Sequence, residues 1–160
     1  MNKAVFLDRD GVINKEKKTY VKTIDDLEIF DNISSCIQKL KKNNFLVIVI
    51  TNQSAIGRGL IDVEKLNEIH EEIQNHLAKS NTKIDAFYFC PHHPDENCLC
   101  RKPQPELIIK ASNDYDIDLQ SSWIIGDNDS DVLAGHNAGC KGIKTDNSNL
   151  PSAIEKILKN

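Results

Sequence analysis

The chain has 160 residues, with 24 acidic and 20 basic side chains and a formal net charge of −4. This length allows one well-filled core and is too short for two ordinary domains, so we expect residues 1–160 to form a single domain. The acidic balance argues against nucleic acid or an anionic membrane as the main partner, because both require a basic face. A small molecule is the expected partner.

The start of the chain has no signal-peptide apolar core, and no apolar run approaches the length of a membrane span. We therefore expect a cytoplasmic protein, and we expect it to be a monomer. The sequence contains five cysteines. In a reducing compartment they indicate metal ligands or buried thiols rather than disulfides.

The first predicted strand, over residues 5–7, runs directly into Asp8 and Asp10, with Gly11 behind them. In extended backbone, side chains two residues apart point the same way, so both carboxylates can enter one pocket at the strand's carboxyl end. Open α/β sheets bind their ligands there. One carboxylate can attack an electrophile while the other holds or releases a proton, and Mg²⁺ would offset their repulsion.

Two alternatives remain for this stretch. An EF-hand calcium loop counted from Asp8 would need glycine and glutamate where the chain has Ile13 and Thr19. A plain surface turn is the other alternative, because a short motif depends on its structural context.

The next segment, residues 15–22, is polar and lysine-rich and contains Tyr20. We interpret it as an active-site loop, with an ordinary solvated connection as the alternative. Apolar residues then recur at helical spacing, which predicts a helix that starts near Asp31 or Asn32 and ends near residues 41–44.

A continuous apolar run over residues 45–50 predicts a parallel strand covered on both faces. It ends in a polar cluster, residues 51–54, which can offer a hydroxyl, amides and backbone N–H groups to an anion beside Asp8. Arg58 lies between two glycines and can turn toward an anionic substrate. A simple loop leading into a helix, with Arg58 in solvent, is the alternative.

A long amphipathic helix is predicted to begin near Asp62. His70 and His76 lie on it, and we expect both to be surface or packing histidines, because no nearby carboxylate or metal set pairs with them. The third predicted strand covers residues 86–89.

The loop over residues 90–100 combines a Cys-x-His pair with a Cys-x-Cys pair. Three thiolates and one imidazole form a closed tetrahedral set for structural Zn²⁺. His93 is an alternative ligand, although the symmetry of the two pairs favours His92; reduced thiols without metal are a further alternative. The predicted zinc ligands are Cys90, His92, Cys98 and Cys100.

Arg101 and Lys102 follow the last cysteine directly, so a zinc-anchored loop would hold two cations rigidly beside a phosphate. A solvated pair of basic residues is the alternative. The next helix is predicted to start at Pro105.

The fourth predicted strand, residues 123–125, ends in an acidic cluster. Asp127 is the expected third metal ligand, and Asp131 can support this loop or accept a hydrogen bond from Lys102. Helix capping is the competing use of both aspartates. A short helix, a last strand at residues 140–143 and a closing helix complete the pattern, which predicts a doubly wound parallel sheet without a large cap domain.

The motifs, in this order, resemble the haloacid dehalogenase-like superfamily of aspartate-nucleophile phosphatases over nearly the whole chain. Residues 7–14, 51–59 and 90–103 are similar to the D-glycero-D-manno-heptose 1,7-bisphosphate phosphatases, and the related histidinol-phosphate phosphatases share the zinc loop. The resemblance implies a sugar bisphosphate phosphatase of carbohydrate metabolism that uses Mg²⁺ and Zn²⁺.

By this resemblance Asp8 is the nucleophile, Asp10 is the general acid and base, and Thr51 and Lys102 hold the transferring phosphoryl group. Magnesium would be bound by Asp8, the backbone carbonyl of Asp10, and Asp127. The expected substrate contacts are Arg9, Thr19, Tyr20, Asn52, Gln53, Ser54, Arg58 and Arg101.

Three functions follow as hypotheses. Hydrolysis of the 7-phosphate of a heptose 1,7-bisphosphate is favoured, because several cations around an open site suit a substrate with two anionic ends. Hydrolysis of histidinol phosphate is the alternative, because the five-residue spacing between His92 and Cys98 resembles that type. A zinc-stabilised phosphate-binding module without catalysis is the alternative from a different class.

Overall fold

The computed structural model describes residues 1–160 as five parallel strands and six α-helices, joined by loops with short 3₁₀ turns. The strands are β1 (Lys3–Leu7), β2 (Phe45–Asn52), β3 (Ala86–Cys90), β4 (Trp123–Gly126) and β5 (Lys141–Lys144). The helices are α1 (Ile33–Lys42), α2 (Ser54–Gly57), α3 (Val63–Ala78), α4 (Glu106–Tyr115), α5 (Asp129–Ala138) and α6 (Leu150–Leu158).

The strands lie in the order β3-β2-β1-β4-β5. Strand β1 is central, and Val5 lies opposite Val47 of β2 on one side and Trp123 of β4 on the other. The order reverses between β1 and β4, so their carboxyl ends flank a topological switch point, where doubly wound sheets form their binding crevice. The predicted doubly wound parallel fold is confirmed.

Alternate residues of β1 belong to two different cores. Val5 and Leu7 pack with residues of α1, α3 and α6, whereas Ala4 and Phe6 pack with residues of α4 and α5. Successive side chains of a strand point to opposite faces, so a strand covered on both faces must be apolar throughout. This explains why the strands appear in the sequence as uninterrupted apolar runs.

The predicted elements are present, with small shifts at their ends. Asp62 caps α3 as expected, because its side chain accepts a hydrogen bond from the backbone N–H of Lys65 at 2.8 Å. Strand β2 is longer than predicted: Thr51 and Asn52 still pair with β3, although they are polar. The short helix α2 occupies a segment that the sequence indicated as a loop. None of the helices combines the length and apolar character needed to span a bilayer.

Candidate active site

Lys102 lies at the centre of the site. Its ammonium donates hydrogen bonds to Asp8 Oδ1 at 2.9 Å, to Asp131 Oδ1 at 2.5 Å and to the backbone carbonyl of Ile50 at 2.8 Å. The Lys102 side chain is only 3% exposed, so these three acceptors replace water completely. The ammonium group is therefore fixed beside the Asp8 carboxylate, at the carboxyl end of β1.

Three carboxylates converge there. Oxygen atoms of Asp8, Asp127 and Asp131 lie within 4.8 Å of one another. Burial raises the pKa of Asp8 to about 7, against the lowering effect of Lys102, and burial with the Asp131 charge raises that of Asp127. Three carboxylates and one ammonium leave two negative charges, which fits a divalent cation with oxygen ligands such as Mg²⁺.

Asp127 is better placed than Asp131 to bind a metal ion. Asp131 accepts from Lys102 on Oδ1 and from the backbone N–H of Asn128 on Oδ2 at 3.0 Å, so both of its oxygens are already engaged. Asp131 thus accepts from Lys102, as predicted, and also caps α5 through the backbone N–H of Asn128, which is the competing use considered for it. In Asp127, Oδ1 accepts a hydrogen bond from the neighbouring Asn128 side chain at 3.0 Å.

Gly11 allows Asp127 to approach the end of β1. Its backbone has φ +89°, and a Cβ added there would lie 2.2 Å from Asp127 Oδ2. Any side chain at residue 11 would therefore both strain the backbone and displace the Asp127 carboxylate.

Asp10 is surrounded by hydrogen-bond donors. Arg9 and Asn14 donate to Oδ1 at 2.9 and 3.1 Å, and Gln53 donates to Oδ2 at 3.0 Å. Burial alone would raise the pKa of Asp10, but the Arg9 charge and these hydrogen bonds outweigh it and lower that pKa. In this arrangement Asp10 is a carboxylate ready to accept a proton.

The polar cluster after β2 holds other site residues in place. Gln53 bridges Asp10 and the Thr51 hydroxyl, to which its amide donates at 2.9 Å. The Asn52 side chain accepts a hydrogen bond from the backbone N–H of Lys102 at 3.1 Å. Asn52 and Gln53, which were expected to contact substrate, border the cavity and at the same time fix Lys102 and Asp10.

A cavity of about 430 Å³ opens above these residues. Its wall includes the loop expected to be an active-site loop, together with residues from the three strand ends. The cavity-lining residues of that loop and of the segment after the cysteines are Glu16, Lys17, Lys18, Tyr20, Val21, Arg101 and Lys102.

Four of the expected substrate contacts are placed differently. Thr19, Ser54 and Arg58 do not line this cavity; Arg58 is exposed and its Nε donates to Ser54 Oγ at 3.4 Å. Arg9 borders the cavity, but its side chain is 1% exposed and faces Asp10. A buried guanidinium cannot contact a sugar phosphate, so the expectation for the Arg9 side chain is corrected to a partner of Asp10.

The cysteine and histidine cluster forms a second site. The sulfur atoms of Cys90 and Cys100 are 2.9 Å apart, and His92 Nδ1 lies 3.2 Å from the Cys100 sulfur. Cys98 completes the group, 3.5 Å from Cys90. Ligands of a tetrahedral zinc ion at about 2.3 Å lie about 3.5 to 3.8 Å apart. The separations of Cys90 from His92 and of Cys98 from its two cysteine neighbours match this range, whereas Cys100 lies closer to Cys90 and His92 and would move outward to bind Zn²⁺. His93 is outside the cluster: its Nδ1 accepts from the backbone N–H of Asp95.

This loop packs against the segment after β2. A Cβ added to Gly57, the last residue of α2, would lie 2.4 Å from the backbone nitrogen of His93. The close approach brings the zinc loop against α2. Just after this loop, the backbone N–H of Lys102 donates to Asn52, the last residue of β2. The placement of Lys102 therefore depends on both the loop and the strand.

Comparison with known proteins identifies the family. A HAD-hydrolase-like family model matches residues 99–150. The chain is 43% identical over 141 residues, covering 88% of the chain and 81% of the relative, to the D-glycero-beta-D-manno-heptose-1,7-bisphosphate 7-phosphatase of Helicobacter pylori. The chain belongs to the haloacid dehalogenase-like phosphatases.

Two further relatives extend this result. The D-glycero-alpha-D-manno-heptose-1,7-bisphosphate 7-phosphatase of Campylobacter jejuni is 43% identical over 136 residues, covering 85% of this phosphatase and 77% of the relative. The crystal structure of D,D-heptose 1,7-bisphosphate phosphatase from B. bronchiseptica, complexed with magnesium and phosphate, aligns with a TM-score of 0.90 at 32% identity and covers 98% of each chain. The phosphatase thus shares a fold with an enzyme that was crystallised with the metal predicted from the sequence.

Two side chains of the phosphatase site were not recognised from the sequence. Asn14 is fully buried and donates to Asp10, although the sequence indicated only that it ends the first motif. His70 packs in the interior, one of the two placements expected for it, and its Nε2 lies 3.2 Å from Arg9 Nη1. Its contact with a residue 61 positions away in the chain has no signal in local spacing.

Proposed function

We propose that this phosphatase removes the 7-phosphate of a D-glycero-D-manno-heptose 1,7-bisphosphate through an aspartyl-phosphate intermediate on Asp8. The observation that carries the proposal is the Asp8 carboxylate, fixed by Lys102 within a group of carboxylates at the switch point of the sheet. Such a group provides a nucleophile, a cation site and charge neutralisation together, which phosphoryl transfer requires.

Asp8 accepts hydrogen bonds from Lys102 Nζ and its neighbour's backbone N–H on Oδ1. Its Oδ2 is therefore the oxygen that attacks phosphorus, and the bond from phosphorus to the sugar oxygen breaks. Lys102 and the Thr51 hydroxyl neutralise and orient the transferring group. Mg²⁺ held by Asp8, the backbone carbonyl of Asp10 and Asp127 would supply further positive charge to the phosphoryl oxygens.

Asp10 handles the protons in this proposal. In its protonated form it gives its proton to the departing sugar oxygen, which leaves it as the carboxylate that Arg9, Asn14 and Gln53 stabilise. That carboxylate then takes a proton from the water that attacks the aspartyl phosphate, releasing inorganic phosphate and restoring both aspartates. The donors around Asp10 thus favour the form needed in the second half of the reaction.

The cavity chemistry favours a bisphosphate. Lys18 and Arg101 line the wall, and Arg101 is only half-buried, unlike Arg9. The N–H groups of Arg101 that border the cavity would donate to a second phosphate. Lys17 contributes less, because it is paired with Glu28.

Histidinol phosphate would meet one of the three carboxylates considered for its ammonium group. Its ammonium group needs a carboxylate partner, and of Glu16, Asp95 and Glu96 only Glu16 lines the cavity. Glu96 instead accepts from the backbone N–H of His93 at 2.5 Å, and the Asp95 side chain is 91% exposed. We therefore favour the heptose substrate.

The test is a comparison of phosphate release from both anomers of the heptose 1,7-bisphosphate and from histidinol phosphate, with Mg²⁺ present. We expect kcat/KM for the preferred heptose anomer to exceed that for histidinol phosphate at least about tenfold, or about 1.4 kcal/mol of discrimination. Both anomers are required, since relatives named for each are equally identical to this chain. Equal or reversed values would favour histidinol phosphate, and no release from any phosphate ester would leave only a binding module.

We further propose that the enzyme is a single-domain monomer of the cytoplasm. All cysteines are unpaired, and a cluster of thiols beside a metal site is compatible with a reducing compartment. All proposed catalytic groups belong to one chain, and both cores pack against the same sheet.

A further inference from the structure

Arg9 is a buried cation beside the proposed acid and base. Its side chain is 1% exposed, its Nη2 donates to Asp10 Oδ1 at 2.9 Å, and its Nε has no hydrogen-bond partner. Removing a guanidinium from water is costly unless its charge and its N–H groups are matched. Asp10 provides the only opposite charge, so the orientation of the guanidinium depends on what holds its remaining N–H groups.

His70 holds one of them. The imidazole lies on α3, is 6% exposed, and stacks on Phe87 of β3 with ring centroids 4.3 Å apart. Its Nε2 is 3.2 Å from Arg9 Nη1. Arginine has donors only, so Nε2 must accept this hydrogen bond and the ring proton must lie on Nδ1. Burial, with the nearby Arg9 charge, accordingly lowers the pKa of His70 to about 3.

Because the His70 imidazole is neutral, it does not weaken the ion pair between Arg9 and Asp10. A carboxylate at residue 70 would compete with Asp10 for the positive charge of Arg9. A neutral imidazole accepts a hydrogen bond from one N–H group of Arg9 and adds no negative charge. The second Nη group of Arg9 then meets Asp10 with its charge undivided. The Phe87 stack fixes the plane of the imidazole and hence the direction of its lone pair.

We propose that His70 is a positioning residue for Asp10, acting through the Arg9 guanidinium. This inference rests on the proposed function, in which Asp10 exchanges protons with the leaving oxygen and with water. The His70–Arg9 pair would hold Asp10 in the orientation that these transfers need. Misplacing such a group slows the chemical step, whereas the phosphate-binding groups Lys102 and Thr51 stay in place. The effect should therefore be on kcat rather than on KM.

Two variants separate the acceptor from the packing. His70→Phe keeps a ring against Phe87 but removes the acceptor, whereas His70→Gln keeps an acceptor near the Nε2 position but removes the ring. With an aryl phosphate and Mg²⁺ we expect His70→Phe to lower kcat about tenfold or more, with KM within about twofold. His70→Gln should recover kcat to within about threefold of the wild type, and His76→Phe on the same helix should match the wild type.

Wild-type kcat in His70→Phe would overturn the inference, and so would an equal loss in a folded His70→Gln. Imidazole nitrogen NMR of the wild type tests the contact without relying on activity: we expect Nε2 to be unprotonated at neutral pH, and a protonated Nε2 would contradict the inference even if His70→Phe does not fold. A wild type that releases no phosphate would refute the proposed function, whereas this NMR result would still decide the contact.

Discussion

Two groups of side chains in this molecule could hold a metal ion, and they are assembled in different ways. The four members of the cysteine and histidine cluster come from a single loop, residues 90–100. Asp8 instead lies more than a hundred residues before Asp127 and Asp131, and it meets them only because β1 and β4 are neighbours. The first group depends on local spacing, whereas the second depends on the topology of the sheet.

The assignment of functions follows the same division. A closed set of four ligands would leave no position for substrate, so zinc bound there would shape a loop. The carboxylate group is bordered by an open cavity and contains only one ammonium, so it can take up both a cation and a phosphate. Changing one group at a time should separate these two roles.

The largest effect is expected for Asp8→Asn, which alters the carboxylate group and leaves the cysteine and histidine cluster unchanged. The amide keeps the shape of the side chain but removes the nucleophile, so kcat should fall at least about 10⁴-fold, with zinc content unchanged. Phosphate-release assays and elemental analysis measure the two quantities. Asp129→Asn, at an exposed aspartate on the same edge, is the matched control and should retain activity. A retained rate above about a hundredth of wild type would contradict nucleophilic catalysis by Asp8.

Cys98→Ser should alter the cysteine and histidine cluster directly and the carboxylate group only indirectly. We expect about one equivalent of zinc per wild-type chain and loss of that zinc in the variant. Because the loop then no longer holds Lys102, kcat/KM should fall about tenfold to a hundredfold. His93→Gln, at a histidine outside the cluster, should keep its zinc. Less than half an equivalent in the wild type would refute the structural zinc site.

Gly11→Ala tests the close approach that assembles the carboxylates. The added Cβ would meet Asp127 Oδ2, so the Mg²⁺ concentration for half-maximal activity should rise about tenfold or more. Gly59→Ala is a matched control, since Gly59 also has a positive φ of +74° but no atom within 4 Å of the added Cβ. Equal effects in both variants would attribute the loss to backbone strain instead.

The smallest effect concerns His70, whose burial behind the carboxylate site should make the stability of the protein depend on pH. His70 has a pKa of about 3 in the folded protein, below its usual 6.5, so below pH 6.5 the unfolded chain binds a proton that the native state does not. His70 therefore lowers the free energy of unfolding as the pH falls. Relative to His70→Gln, the wild type should lose about 2 kcal/mol between pH 7.5 and 5, measured by urea unfolding. A pH-independent difference would show that His70 titrates normally.

The same contrast explains what the sequence could predict. Asp8 and Asp127 each follow a buried apolar strand, and the carboxyl ends of parallel strands meet at one edge, so their convergence follows from the pattern. The grouping of the four predicted zinc ligands followed from their spacing alone. The hydrogen-bond partners of Asp10 could not be predicted from spacing. Whether Gln53 turns inward depends on its rotamer, and the residue that faces Arg9 depends on the packing of α3. The sequence predicts Arg9 as a substrate contact, because a charged residue beside a motif is normally exposed.

The most direct test of the central proposal is to detect the covalent intermediate. The enzyme is mixed with substrate and Mg²⁺, quenched in acid within one turnover, and its peptides are examined by mass spectrometry. We predict one phosphoryl group on Asp8 of the wild type and none in Asp8→Asn. A phosphoryl group on another residue, or rapid phosphate release with no phosphorylated Asp8 at any quench time, would contradict the proposal.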